Sequence, residues 1–342
     1  MKATIKLESG QIFSGFCMGG MTEGFTSGIV FNTSMTGVTE ILTDPSSMGQ
    51  AIVLTNPLIG NYGVCYEDFQ SDKPHAAALI VSELSEIHSN FRSEDSLKAV
   101  LERFDIPVIT GIDTRSLVRL LRSRQGGESP RTVSVFVGDN EQTEYPLSAP
   151  PLSRYHAERR SVKAENTIAT VAVADTGLRR DLERMLLSCG VSLEVFPYGD
   201  VIDGTYDGYL LPGGPGNPED YDLTTVKTII QTGKPVFAVG LGHHLLALAN
   251  GAKITSLSPG HRGANIPVRD IQTGKVAITN QNHGFTVDTS SVESGIISHV
   301  NVNDSSVEGL SWREDMLSVQ FQPDVETVQE FVKILEKSYA KR

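Results

Sequence analysis

Residues 235–250 read PVFAVGLGHHLLALAN. The first five are an apolar run of buried-strand length. Gly240-Leu241-Gly242 is a tight turn, and residues 243–249 read as a buried helix stopped by Asn250-Gly251. A strand turning sharply into a helix is the geometry of a nucleophile elbow, in which a Ser or Cys on a strained turn works at the positive end of the helix. Here the apex is Gly240, which has no side chain, and no Ser, Thr or Cys adjoins it. Cys189 falls on the helix expected after the first strand of this segment and is a poor substitute. Two other chemistries are weaker still. His243, His244, His261 and His283 suggest a metal, but His243 and His244 are neighbours ~100° apart around a helix axis and are ill placed to share one ion; no metal site is expected. Gly214-Pro215-Gly216, within PGGPGNP at 212–218, lets backbone N–H groups approach a ligand, but no Lys-Ser/Thr follows to make a P-loop.

The elements around these residues must bring them to one place. From residue 167 onward, strand-like and helix-like segments alternate: strands at 167–174, 192–196, 209–211 and 235–239, helices at 179–189 and 222–232. This rhythm predicts a largely parallel sheet covered on both faces, with ligands held where strands end. Three loops are expected there: 212–218, the elbow turn, and Gln281-Asn282-His283-Gly284-Phe285. Short strands at 276–279, 284–287, 297–303, 309–312 and 317–320, and a closing helix from about 325 to 339, complete the segment.

The opening differs. A hairpin-like turn at Glu8-Ser9-Gly10, a strand at 28–33 and helices at 93–104 and 113–122 describe a mixed, turn-rich domain. A polar stretch with Pro146, Pro150 and Pro151 separates the halves. The expected organisation is α/β throughout: an N-terminal mixed α/β domain over 1–145, a linker over 146–166, and a second domain with a largely parallel sheet over 167–342. The chain has 342 residues and a net charge of −12, which argues against a nucleic-acid surface. No apolar run approaches the ~18 residues of a membrane span. Three scattered cysteines, without a C-x-x-C, suit a reducing cytoplasm better than a disulfide framework.

The strings themselves go further. FAVGLGHHLLALANGAKI resembles the elbow of class I (triad-type) glutamine amidotransferases, where the apex is Cys in a pattern near G-I-C-L-G-H-Q-L-L-A. Gly214-Pro215-Gly216 and QNHGF at 281–285 match that family in order. FNTSMTG at 31–37, TEILTDPS at 39–46, NPLIGNYG at 56–63, SNFR at 89–92 and GIDTR at 111–115 are similar to the carbamoyl phosphate synthase small subunit within that class. The resemblance implies a Cys nucleophile, a His base and an orienting carboxylate. At those positions this sequence has Gly240, Gln322 and Asp324, the last two in SVQFQPD at 318–324. Gln does not titrate and is no general base at any pH. By resemblance the glutamine pocket comprises Ser46, Gly214, Gly216, Leu241, His244, Asn282, Gly284 and Phe285, His244 standing where the family has Gln. His261 and His283 match or adjoin positions that are not metal ligands.

The resemblance implies a partner, the synthetase large subunit, which carries ATP and Mg and makes carbamoyl phosphate for arginine and pyrimidine synthesis. No cofactor is expected in this chain. The expected role is a small subunit inactive as a glutaminase, structural or regulatory for ammonia-dependent synthesis. The alternative is a module that senses glutamine or another amide. A hydrolase with relocated catalytic groups lacks a nucleophile.

Overall fold

The structure is a computed structural model that describes residues 1–19, 24–122, 132–137, 155 and 157–340, the side chain of residue 339 excepted. It divides into two compact units, Met1–Pro151 and Leu152–Arg342.

The first unit is a closed barrel. Its strands are β1 (Lys2–Leu7), β2 (Ile12–Met18), β3 (Phe25–Asn32), β4 (Gln50–Leu54), β5 (Ala78–Ile80), β6 (Val108–Thr110) and β7 (Thr132–Val137), in the order β1-β2-β6-β5-β4-β3-β7. The turn at Glu8-Ser9-Gly10 joins β1 to β2, with Lys6 opposite Ile12. Alternate residues Ala3, Ile5 and Leu7 of β1 point inward and are at most 1% exposed, the period-2 pattern of a strand with one buried face. Among the described residues, three α-helices accompany the barrel: α1 (Val38–Thr43), α2 (Leu97–Arg103) and α3 (Thr114–Arg122). Helix α2 starts four residues later than its sequence suggests, because Ser96 caps it by accepting from Ala99 N at 3.1 Å.

The second unit is a ten-stranded sheet. Its strands are β8 (Arg160–Val162), β9 (Ala169–Asp175), β10 (Val191–Pro197), β11 (Gly208–Leu211), β12 (Val236–Val239), β13 (Ile254–Asp270), β14 (Val276–Val287), β15 (Ile296–Asn301), β16 (Val307–Arg313) and β17 (Met316–Val319). They lie in the order β14-β13-β15-β16-β17-β12-β11-β9-β10-β8. The run β10-β9-β11-β12-β17 is parallel; the remaining pairs are antiparallel. Val171 and Val173 of β9 face α4 (Arg180–Ser188) and α7 (Val325–Ala340), in one apolar cluster with Leu182, Leu186, Phe331 and Leu335. Ala172 and Ala174 face α5 (Thr224–Gln231) and α6 (Leu241–Ala249), with Val226, Ile229, Leu245 and Leu246. Apolar side chains on both faces of a parallel strand are what a doubly covered sheet requires.

Three expectations need correcting. Of the linker over 146–166, residues 146–154 and 156 lie outside those described, and Arg160–Val162 are strand β8, hydrogen-bonded to β10. Residues 281–285 are not a loop: they lie inside β14, because β13 pairs along them and places His261 opposite His283. Strand β13 itself is absent from the sequence reading.

Candidate functional site

The elbow forms as its sequence dictates. Strand β12 is wholly buried, Gly240 turns the chain, and α6 begins at Leu241. Gly240 has φ 56° and ψ −111°, a conformation that residues with a β-carbon adopt only under strain. Its N–H donates to Val319 O at 2.9 Å. Helix α6 is drawn against β11 because Gly242 N donates to Pro212 O at 3.0 Å; a β-carbon on Gly242 would lie 2.0 Å from Leu211 O. On the other side Gly214 meets Leu241, its absent β-carbon falling 2.4 Å from Thr176 O and 2.9 Å from Leu241 Cδ2. Thus the 212–216 loop and the first turn of α6 pack through positions that only glycine fits. Leu241 N is in the first turn of α6 and has no intrahelical acceptor, the position of an oxyanion donor.

A side chain at Gly240 would find space, with Gly213 Cα at 3.5 Å and Gln320 O at 3.9 Å from a β-carbon. The cost of adding one is therefore backbone strain. Gly240→Cys is expected to lower stability by about 1 kcal/mol. Urea unfolding of the two proteins checks this; a variant clearly more stable than its parent rules out a strained elbow.

Gln322 and Asp324 reach the same sheet edge. Strands β12 and β17 are parallel neighbours with Val239 opposite Val319, so Gly240 and the 320–324 segment leave the sheet side by side. Gln322 is partly buried and its N–H donates to Asn280 O at 2.9 Å. Asp324 is exposed and already committed. Its Oδ1 accepts from Thr327 N at 2.9 Å and Thr327 Oγ1 at 2.8 Å, capping α7 at its positive end. Asp324→Ala is expected to cost about 1 kcal/mol, and Asp324→Asn much less. Thermal melts of both variants test this; an Ala variant that melts with the parent removes the cap.

The antiparallel ribbon β13–β14 closes the site. His244 is 2% exposed, with its ring 6.3 Å from that of Phe285 and 6.4 Å from that of His283. His244 Nε2 and Gln320 Oε1 are both enclosed without a hydrogen-bond partner. Burial lowers the His244 pKa to about 4. His243 is fully buried. Ser318 Oγ donates to Leu310 O at 3.0 Å, so His243 Nδ1–H donates to Ser318 Oγ at 2.9 Å. His283 Nδ1 donates to Phe285 O at 2.7 Å, and Nε2 meets Gln281 Oε1 at 2.8 Å. Burial pushes both rings well below the usual histidine range. His261 behaves oppositely. Burial opposes its charge, but Glu308 and Asp304 outweigh that and raise its pKa. Its Nε2 pairs with Asp304 Oδ2 at 2.8 Å and its Nδ1 lies 3.3 Å from Glu308 Oε1.

His261, His283 and Glu308 each bring one ligand-type atom within 4.8 Å of the others. The nitrogens of both rings already face protein atoms, those of His261 facing Asp304 and Glu308 and those of His283 facing Phe285 and Gln281. Asn282 and Gly284 lie on the opposite face of β14 from Gln281, His283 and Phe285. The structure therefore gathers Gly214, Leu241, His244 and Phe285 through packing, and sets Asn282 and Gly284 on the adjoining ribbon. Gly216 is exposed, with φ 90°. Ser46 lies in the first unit, where its N–H and Oγ donate to Asp44 Oδ1 at 2.8 and 2.7 Å. Gln320 and Glu308 were not singled out from the sequence. Gln320 could have been found from its place directly after β17.

Residues 5–129 match the family described as carbamoyl-phosphate synthase small chain, CPSase domain, and residues 172–341 match glutamine amidotransferase class-I. The chain is 38% identical to the carbamoyl phosphate synthase small chain of Polynucleobacter asymbioticus, over 91% of this chain and 88% of that one. It is 40% identical to the pyrimidine-specific small chain of Halalkalibacterium halodurans, over 95% and 92%. The chain belongs to the carbamoyl phosphate synthase small chain family. The second relative fixes the comparison along nearly its whole length, so the barrel and the amidotransferase-like sheet are both family features. A third family member, from Caldanaerobacter subterraneus, is 37% identical over 95% of this chain and 91% of its own. Among the described residues, no helix is long and apolar enough to cross a membrane.

Proposed function

We propose that this chain is a small subunit that does not hydrolyse glutamine and supports ammonia-dependent carbamoyl phosphate synthesis by a large synthetase subunit. The observation that carries the proposal is Gly240 at the elbow apex: the turn and the helix N-terminus are in place, but there is no nucleophile. Gln322 has no titratable group, and Asp324 is spent on capping α7. The family strings of the first unit, at 31–37 and 39–46, are intact beside this loss, which suits a chain kept for assembly. ATP and Mg belong to the large subunit, and this chain carries no cofactor of its own. The test is carbamoyl phosphate synthesis by the large subunit with and without this chain, fed glutamine alone or ammonium alone. Activity with ammonium only, increased by this chain, supports the proposal. Activity with glutamine overturns it.

A second function is favoured by the packed array of Gly214, Leu241, His244 and Phe285: the pocket binds glutamine or a related amide as a signal to the large subunit. Calorimetry with glutamine decides, and no heat up to millimolar ligand counts against it.

A further inference from the structure

His261 on β13, Gln281 and His283 on β14 and Glu308 on β16 bring hydrogen-bond acceptors together with too few protons between them. His261 stands opposite His283, their rings 5.0 Å apart and edge to face. Glu308 is fully buried. Its Oε1 accepts from Asn301 Nδ2 at 3.0 Å, but its Oε2 is enclosed and has no hydrogen-bond partner. A secluded carboxylate with one oxygen unpaired is costly to keep.

The contacts around the two rings decide which nitrogens are bare. In a neutral imidazole one nitrogen donates and the other accepts. His261 Nε2–H donates to Asp304 Oδ2 at 2.8 Å. Its Nδ1 is then a lone pair, 3.3 Å from Glu308 Oε1 and with a long contact to Asn301 Nδ2, also 3.3 Å. His283 Nδ1–H donates to Phe285 O, which leaves Nε2 facing Gln281 Oε1 at 2.8 Å. That oxygen is an acceptor too. Thr279 Oγ1 donates to Ile266 O at 2.9 Å and accepts from Gln281 Nε2 at 3.0 Å, so the amide is held with its oxygen toward the ring. Two acceptors at this distance repel unless a cation joins them. A histidine that binds a metal through one nitrogen almost always donates its other N–H to a carboxylate or a carbonyl, and both rings are held in that way.

We propose that His261 Nδ1, His283 Nε2, the Glu308 carboxylate and Gln281 Oε1 form a structural zinc site that ties the β13–β14 ribbon to β16. The two histidines and Glu308 each bring a ligand atom within 4.8 Å of the others. A tetrahedral site with bonds of about 2.0–2.1 Å has edges of ~3.3 Å. The edges from His261 to Glu308 and from His283 to Gln281, 3.3 and 2.8 Å, are near that length, and the widest must close by at most about 1.5 Å. Imidazole with carboxylate suits zinc better than magnesium or calcium. Protein atoms fill all four positions, so the ion braces the fold and adds no reaction. Zinc ligands bind deprotonated, so a proton shared by His261 and Glu308 leaves on binding.

The test uses the full chain, stripped with a chelator and dialysed, then titrated with Zn²⁺ by calorimetry at pH 7 and melted with and without the ion. The parent is expected to bind one Zn²⁺ and to melt higher with it. Asp304→Asn, which weakens the hold on the His261 ring, is expected to bind at least about tenfold more weakly. Glu308→Gln, which removes a charged ligand, is expected to lose the site. Asp304 is exposed, so its variant carries the comparison where Glu308→Gln does not fold. Co²⁺ in the parent is expected to give the intense visible absorption of a tetrahedral site, and Glu308→Gln to lack it. No Zn²⁺ binding by the parent, or binding that does not raise its melting temperature, overturns the inference. So does equal binding by the parent and the variants, which would place the ion at thiols or histidines elsewhere.

Discussion

Gly240→Cys alone is expected to release no ammonia from glutamine above the assay background, whereas Gly240→Cys combined with Gln322→His is expected to exceed that background by about 10²-fold or more. The single variant restores a thiol at the apex of the elbow, on a turn with φ of 56°, where a β-carbon meets Gly213 Cα at 3.5 Å and Gln320 O at 3.9 Å without a clash. A thiol there gains from the N-terminus of α6, but nothing nearby takes its proton and returns it to the leaving ammonia. His244 is enclosed in the ring cluster, and His243 Nδ1 is bonded to Ser318. Adding a base at 322 supplies what is missing, because β12 and β17 run side by side and deliver residues 240 and 322 to the same edge. Triad residues act as a unit, so the two changes are expected to be far from additive. Asp324→Glu on top of both is expected to give a smaller gain, since a carboxylate that leaves Thr327 uncaps α7. Ammonia release at saturating glutamine measures all of these. Measurable turnover by Gly240→Cys alone would mean that a base exists elsewhere in the site.

The elbow was legible because its signals are local: an apolar strand, a glycine-punctuated turn and an apolar helix closed by Gly251, whose φ is 89°. The parallel core was legible for the same reason, since β9, β10, β11 and β12 are short apolar runs, with α4 between β9 and β10 and α5 between β11 and β12. Strand β13 was not. Its 17 residues contain Pro259, Gly260, Gly263 and Pro267, all turn formers, and its register shifts between Ser256 and His261 and again between Gly263 and Ile266. Bulges absorb these residues within a long strand, which no alternation of polar and apolar residues announces. Missing β13 had two consequences. Residues 281–285 looked like a loop, and His261 had no strand partner to set it against His283. Barrel closure in the first unit was hidden for another reason: β5 and β6 have three residues each, and their pairing is decided by distant partners rather than by their own sequence. The cap at Asp324 could have been read from Asp followed three residues later by Thr, directly before an apolar-periodic helix.

Acid is expected to unfold the second unit early, between pH 6.5 and about 4, and His244→Gln is expected to weaken that dependence. His243, His244 and His283 are held neutral by burial, with folded pKa values below the unfolded value near 6.5. In this window the unfolded chain takes up protons that the folded chain refuses, so stability is full above pH 6.5 and falls as pH drops. For His244, whose folded pKa is about 4, the loss is on the order of 3 kcal/mol by pH 4, at up to about 1.4 kcal/mol per pH unit. His261 acts in the opposite sense: its pKa is raised, so its contribution is present below 6.5 and disappears as pH rises through the folded value. Burial lowers the His299 pKa as well, so four histidines oppose one, and the acid limb prevails. Gln at 244, the residue type of the family pattern, has no proton to gain and is expected to flatten the limb by about one histidine's share. Urea unfolding at pH 7, 6 and 5 for the parent and His244→Gln gives both slopes. Equal slopes would show that His244 is protonated in the folded chain, and that its ring reaches water or an acceptor.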